Sequence, residues 1–208
     1  MKKPILTQQK IEEQLFGQGE RADFSNQSVP SFAIINEKIN KEISFENAKI
    51  EGQMFMADIF INGDLSFKNC FIKGSLYLAN LHLNGSLILE NARIKGAVNL
   101  VGAEIEKDVA AKNLKSQGFI SLAKAKIKGD VILEEAKIQN VFYENFSVNG
   151  DLILEEIKVG GSINLKGADI DNLLDLDEMI LENNLVLQKT NFKIIEAENI
   201  IIKGKTIN

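Results

Sequence analysis

From Phe32 onward, apolar residues come in pairs separated by one residue: Ile43/Phe45, Ala48/Ile50, Met54/Met56, Ile59/Ile61, Leu65/Phe67. Pair starts are spaced alternately by five and six positions, and the rule persists to Thr190/Phe192, with a looser version reaching Ile200/Ile202. A separation of two puts both members of a pair on the same side of an extended backbone. An eleven-residue apolar period is also compatible with a right-handed helical coiled coil, but a glycine in every unit and paired β-branched residues oppose a helix. A left-handed helix of hexapeptides needs a strict six-residue period, which the alternation denies. The pattern therefore predicts short strands with two inward residues between successive corners.

Glycine gives the second signal. Two residues past alternate pairs stand Gly52, Gly63, Gly74, Gly85 and Gly96, and ten of the fifteen glycines share this position. Asn140, Asn172 and Asn183 replace it elsewhere. Glycine with asparagine as its substitute predicts a corner with positive φ. The Asp or Ser that often follows, as in Gly63-Asp64 and Gly85-Ser86, predicts a tight turn.

One full unit is Ala92-Arg93-Ile94-Lys95-Gly96-Ala97-Val98-Asn99-Leu100-Val101-Gly102, with Ala103 opening the next. The pattern Ala-x-Ile-x-Gly-x-x-x-Leu-x-x-Ala returns from Ala103 (Lys107 for glycine), Ala125 and Ala136 (Asn140 for glycine). It resembles the pentapeptide-repeat family, in the variant with eleven-residue double units, over roughly residues 32–206. The resemblance implies an all-β fold, a right-handed quadrilateral parallel β-helix with about 22 residues per coil and about eight coils over 32–208. At about 4.8 Å per coil the rod would be about 40 Å long. Two departures from the family are plain: Lys, Arg or Glu mostly precedes the central residue, and that residue is Ile or Leu more often than Phe.

The inward columns can be written out as Ile50, Ile72, Ile94, Ser116, Ile138; as Ile61, Leu83, Ile105, Ile127, continuing to Phe192; and as Phe45, Phe67, Leu89, Ala111, Leu133. The coil from Lys107 to Gly118 is expected to be under-packed, because Lys107, Ala111 and Ser116 replace Gly, Leu and Ile. Near Val141 the spacing drops to five and five, which puts Tyr143 in a central position with a hydroxyl that needs a partner.

Residues 1–31 lack the ladder and read as an N-terminal cap. Thr7 can N-cap a short helix over Gln8 to Phe16 with Ile11, Leu15 and Phe16 on one side, ended by Gly17 and Gly19, and Ser25 to Pro30 reads as a loop. A terminal cap blunts the bare strand edge of a stacked architecture. Met1-Lys2-Lys3-Pro4 is basic but lacks the apolar run of a signal peptide. No eighteen-residue apolar run exists, so no helix is expected to span a membrane. With the single Cys70 placed inward, a cytoplasmic protein is expected.

Residues between the pairs face solvent and form columns of their own. One corner reads Glu46, Glu90, Glu134, Glu155, Asp177, Glu198; its neighbour reads Asn47, Asn69, Asn91, Asn113, Glu135, Glu156, Glu178. Glu90, Glu134, Glu135, Glu155, Glu156, Asp177 and Glu178 make an acidic stripe, a candidate surface for a partner. The opposing reading is an exposed ion-pair ladder with Lys49, Arg93, Lys115, Lys137 and Lys158, formed inside segments such as Glu134-Glu135-Ala136-Lys137. Ile88, Ile132 and Ile153 on one outer face, with Ile180 and Ile201, make a candidate apolar interface. Phe55, Tyr77, Phe142 and Val186 are expected to point outward on another face, interrupted by Asn99, Ser121 and Asn164. The apolar run Ile200-Ile201-Ile202 points to a homodimer through the C-terminal coil.

Catalysis finds little support. His82 is the only histidine, and Asp169, Asp171, Asp175 and Asp177 lack the glycine and closing glutamate of a calcium loop. No catalytic, cofactor-binding or metal-ligating residue is expected, and a net charge of −5 argues against direct nucleic-acid binding. The expected function is a non-enzymatic scaffold that binds a protein partner through charged outer faces, with a self-assembling structural protein as the alternative. The family resemblance adds a third reading, a DNA mimic that binds a type II topoisomerase.

Overall fold

The computed structural model describes residues 5–208; the basic start at residues 1–4 lies outside them. The chain winds as a four-sided parallel β-solenoid of about eight turns with one short N-terminal helix. Three sides are nine-stranded sheets and the fourth is seven-stranded. The first face runs from Arg21–Asp23 and Glu42–Ser44 to Ile194–Glu196, and the second from Ser28–Val29 and Lys49–Ile50 to Ile201–Ile202. The third runs from Phe32–Ile35 to Thr206–Ile207, and the fourth from Lys38–Ile39 to Asp169–Ile170. Each strand pairs in parallel with the equivalent strand one coil away, as in Ile72 with Ile94 or Leu83 with Ile105.

The core is the set of predicted columns. Ile50, Ile72, Ile61, Leu83, Leu89 and Leu133 are all buried. Near the N-terminal end the corner column is aromatic: Phe24 stacks on Phe45 at 4.8 Å and Phe45 on Phe67 at 5.1 Å, with near-parallel rings. Phe192 departs from its column. It is 36% exposed, because only an isolated bridge from Asp169 to Asn191 continues the fourth face.

The helix over Gln8–Phe16 forms as predicted, with the Thr7 side chain accepting from Lys10 N–H. Ile11 and Leu15 are buried, but Phe16 is exposed. The other end of the helix is held by a residue that no periodicity singles out. Lys41 is buried, and its Nζ donates to Gly17 O at 2.7 Å and Gln14 O at 3.2 Å, which satisfies carbonyls at the helix C-terminus. The solenoid starts at Arg21, earlier than the boundary expected at residue 32, and the expected loop contains the strand Ser28–Val29. Ala22, Phe24 and Val29 supply the inward residues of this first coil without the glycine that marks later ones.

The glycine expectation needs correction. Of the repeat-position glycines only Gly63 has positive φ; the left-handed corners are Asn47, Asn69, Asn91 and Asn113, with φ of 54 to 59°. The glycines are selected by close approach between coils. A Cβ on Gly74 would lie 2.8 Å from the backbone carbon of Gly52.

The two irregular coils also resolve. Ser116 is buried, and its hydroxyl donates to Gly96 O at 2.9 Å, so the polar substitution is satisfied. Tyr143 is fully buried with a hydroxyl that has no hydrogen-bond partner, contrary to the expectation of one. Burial, which disfavours the charged phenolate, also drives its pKa up.

Candidate functional site

The corner between the first and second faces carries the acidic column, and its stacking is fixed by the backbone. Asn69 N–H donates to Glu90 O, Asn113 to Glu134 O, Glu135 to Glu155 O, Glu156 to Asp177 O and Glu178 to Glu198 O. Read in that order the column is Glu46, Lys68, Glu90, Lys112, Glu134, Glu155, Asp177, Glu198. Its first half alternates in charge. Lys68 pairs with Glu90 at 2.5 Å, and Lys112 reaches Glu134 at 2.5 Å and Glu135 at 3.5 Å. The lysine pKa values are accordingly raised, chiefly by the hydrogen bonds to Glu90 and Glu134.

Past Glu134 the alternation stops. Glu155, Asp177 and Glu198 follow one another, and among the described residues no lysine or arginine pairs with any of them. Over the same coils the left-handed corner changes from asparagine to Glu135, Glu156 and Glu178, with φ of 52 to 56°. A left-handed conformation costs a side chain other than Gly, Asn or Asp roughly 1–2 kcal/mol. Lys124 and Lys189 bear a similar cost at another corner.

Crowding leaves a mark on Glu155. Its pKa is raised, first by desolvation and then by the charges of Asp175, Glu134, Glu156 and Asp177. Asp175 is buried and Glu196 exposed, and they stand two residues before Asp177 and Glu198 of the acidic column. One carboxylate oxygen each from Asp175, Asp177 and Glu196 lie within 4.8 Å of one another, which is three of the six or more oxygens that a calcium ion takes. Part of this cluster is engaged already: Asp175 Oδ1 accepts from Asp177 N–H at 2.9 Å and Asp177 Oδ1 from Glu198 N–H at 2.6 Å. Asp169 belongs to the fourth face, so the acidic segment of the sequence does not converge as a loop.

Beside this edge, on the first face, Ile88, Ala110, Ile132 and Ile153 stack in register, half-buried by one another, and the column continues as Asp175. The structure therefore joins Ile132 and Ile153 to Glu134 and Glu155. It separates Ile180 and Ile201, which end a column on the second face. The far edge of the first face carries a further row that the sequence disguised as turn residues. Asp64, Asp108, Asp130 and Asp151 accept backbone N–H groups of the next coil at 2.8 to 3.1 Å. Their role is to clamp coils together.

The expected ion pairs inside Glu134-Glu135-Ala136-Lys137 do not form. Lys137 projects from the second face, whereas Glu134 sits on the corner and takes Lys112 of the preceding coil. The other predicted apolar group is interrupted as expected. Phe55 packs on Tyr77 at 5.1 Å, and Phe142 meets Phe119 at 5.9 Å further along the third face, with Asn99 and Ser121 interrupting the column. His82 is exposed and lies 3.2 Å from Glu104, which also takes Lys126. Cys70 is buried, which pushes its thiol up to about 12 and leaves it unreactive.

These features define a class: a four-sided parallel β-solenoid with 22-residue turns and one edge whose charge is unpaired over its C-terminal half. Compared with protein-family models, curated proteins and solved structures, the chain matches none. No helix among the described residues is long and apolar enough to cross a membrane.

Proposed function

We propose that the chain is a non-enzymatic scaffold that docks a basic protein partner on the acidic edge formed by Glu155, Glu156, Asp177 and Glu178, with Ile132 and Ile153 as the adjoining apolar strip. One observation carries this reading. Where the corner could keep asparagine and alternate its charges, as it does over the first coils, it instead holds glutamates in left-handed backbone and stacks acids without counter-charges. Both choices cost stability, and a surface serving only solubility has no use for either. The paired half of the same edge, Lys68 with Glu90 and Lys112 with Glu134, is what a purely structural ladder looks like.

The turn length, the four faces and the two inward residues per corner support kinship with the pentapeptide-repeat proteins, whose DNA mimics supply a second reading. Here the continuous acidic run covers four coils, from Glu134 to Glu198, which is about 14 Å at strand spacing. That is short for a duplex surrogate, and the lysines at 68 and 112 interrupt its extension. A supercoiling assay with a type II topoisomerase and titrated protein tests mimicry directly: no inhibition at micromolar concentration dismisses it. The leading reading is tested by affinity capture from host lysate. The native chain and the variant E155Q/E156N/D177N/E178N should differ in a basic protein retained only by the former. Identical captures would refute the acidic edge as a docking site.

A further inference from the structure

The second face carries the opposite charge. Arg93, Lys115, Lys137 and Lys158 stand in register on four consecutive parallel strands and point outward. All four are exposed, and among the described residues none is in an ion pair. Elsewhere the solenoid neutralises such columns. At the N-terminal end of this same face Glu51 takes both Lys49 and Lys73, which drives its carboxyl down to about 2. On the fourth face Lys126 and Lys128 take Glu104 and Glu106 of the preceding coil. Like charges opposite one another on neighbouring strands repel, so the bare cation column needs a reason, as the bare acidic column does.

The two columns answer each other. We infer that the second face of one copy receives the acidic edge of a second copy, side by side with parallel axes. Both columns ride on the same parallel register, so their charges repeat with the same rise of about 4.8 Å per coil, a spacing shared by construction. The cations occupy the coils of Arg93 to Lys158 and the acids those of Glu134 to Glu198, two coils further on. A two-coil stagger sets Lys115 against Glu155, Lys137 against Asp177 and Lys158 against Glu198, while Arg93 meets Glu134, which Lys112 already takes. The corner is neutral beside Arg93 and Lys115 (Asn91, Asn113) and acidic beside Lys137 and Lys158 (Glu135, Glu156), so the approaching carboxylates meet no acid over the first two of the four contacts. The contact is heterologous, since edge and face are different surfaces. Each added copy leaves one of each free, and the assembly grows rather than closing as a dimer. It uses neither the exposed C-terminal coil nor the first-face isoleucines.

This inference rests on the proposal that the acidic edge is a docking surface, and the test separates the two. Sedimentation or light scattering over a protein concentration series in about 20 mM salt should show the average mass rising above the 23.1 kDa chain. It should return to that value in about 500 mM salt, where the Debye length is only a few ångströms. The variants K115E/K137E and E155K/D177K, checked for cooperative unfolding by circular dichroism, should each be monomeric at low salt. Mixed in equal amounts, they should associate at least as well as the native chain, because each then offers the charge the other lost. A native chain that stays monomeric, single variants that associate like the native chain, or a mixture that fails to recover would each overturn the inference. So would a monomer whose Arg93 and Lys115 bind a single-stranded oligonucleotide, which makes a polyanion the occupant. If the monomeric native chain still binds a fluorescent oligolysine peptide and E155K/D177K does not, this inference falls and the docking edge stands.

Discussion

Glu155 shows what a single residue contributes to an edge of this kind. Its carboxyl titrates above the ordinary value because the folded chain partly desolvates it and surrounds it with other acids. A carboxyl whose pKa is raised on folding favours the folded state at low pH, and that contribution is lost as pH rises through the raised value. Glu155→Gln should therefore raise the melting temperature at pH 7 by about 1–2 °C. The advantage should shrink as pH falls through the carboxylate range and vanish below the unfolded value near 4.5. Thermal melts of both proteins across pH 3–8 would show it; a constant offset would contradict the assignment. Tyr143 is the reverse case, a cost with no function attached. Its buried hydroxyl has no partner, so Tyr143→Phe should stabilise by about 1 kcal/mol in denaturant unfolding, whereas a loss would mean that the hydroxyl is satisfied. The glycines separate two causes. Gly74→Ala drives a Cβ into the backbone of Gly52 and should cost about 1–3 kcal/mol. Gly160→Ala meets only the movable end of Gln139 at 3.1 Å and should stay within about 0.5 kcal/mol of the native chain.

At the scale of elements, the N-terminal helix and the first coil depend on a contact that no pattern announces. Lys41→Met removes both hydrogen bonds to the helix C-terminus and should cost about 1–3 kcal/mol. Hydrogen exchange should quicken in Gln8–Phe16 while the central coils keep their protection; uniform loss across the solenoid would contradict a local cap. Strand pairs, coil length and inward columns were legible because one periodicity sets them all: Ile72 or Leu133 is inward wherever the two-residue pairs stack. Lys41 was not, because a buried lysine is defined by carbonyls some 24 to 27 residues away in sequence. The left-handed corner was misassigned for a related reason. Regular spacing of Gly74 and Gly96 signals a demand for a small residue but does not say whether φ or a neighbouring backbone makes it. Asn47, Asn69 and Asn91 carried the φ signal, five residues before Gly52, Gly74 and Gly96.

For the whole molecule, the sequence placed every member of the acidic stripe in its column but missed which of them are neutralised. That depends on Lys68 and Lys112, which reach across coils, not on the lysines two or three residues away in sequence. Only the stacked structure shows that Glu90 and Glu134 are paired while, among the described residues, Glu155, Asp177 and Glu198 are not. The molecule is thus a four-sided β-solenoid whose repeating core leaves outward charge as its variable, unpaired in two places. The most direct test of the docking edge is the affinity of the captured partner for the native chain and for E155Q/E156N/D177N/E178N, measured by titration calorimetry at low and at physiological salt. The account predicts at least a tenfold loss in the variant and a weaker salt dependence, with the variant melting no lower than the native chain. Equal affinities in a folded variant would contradict it.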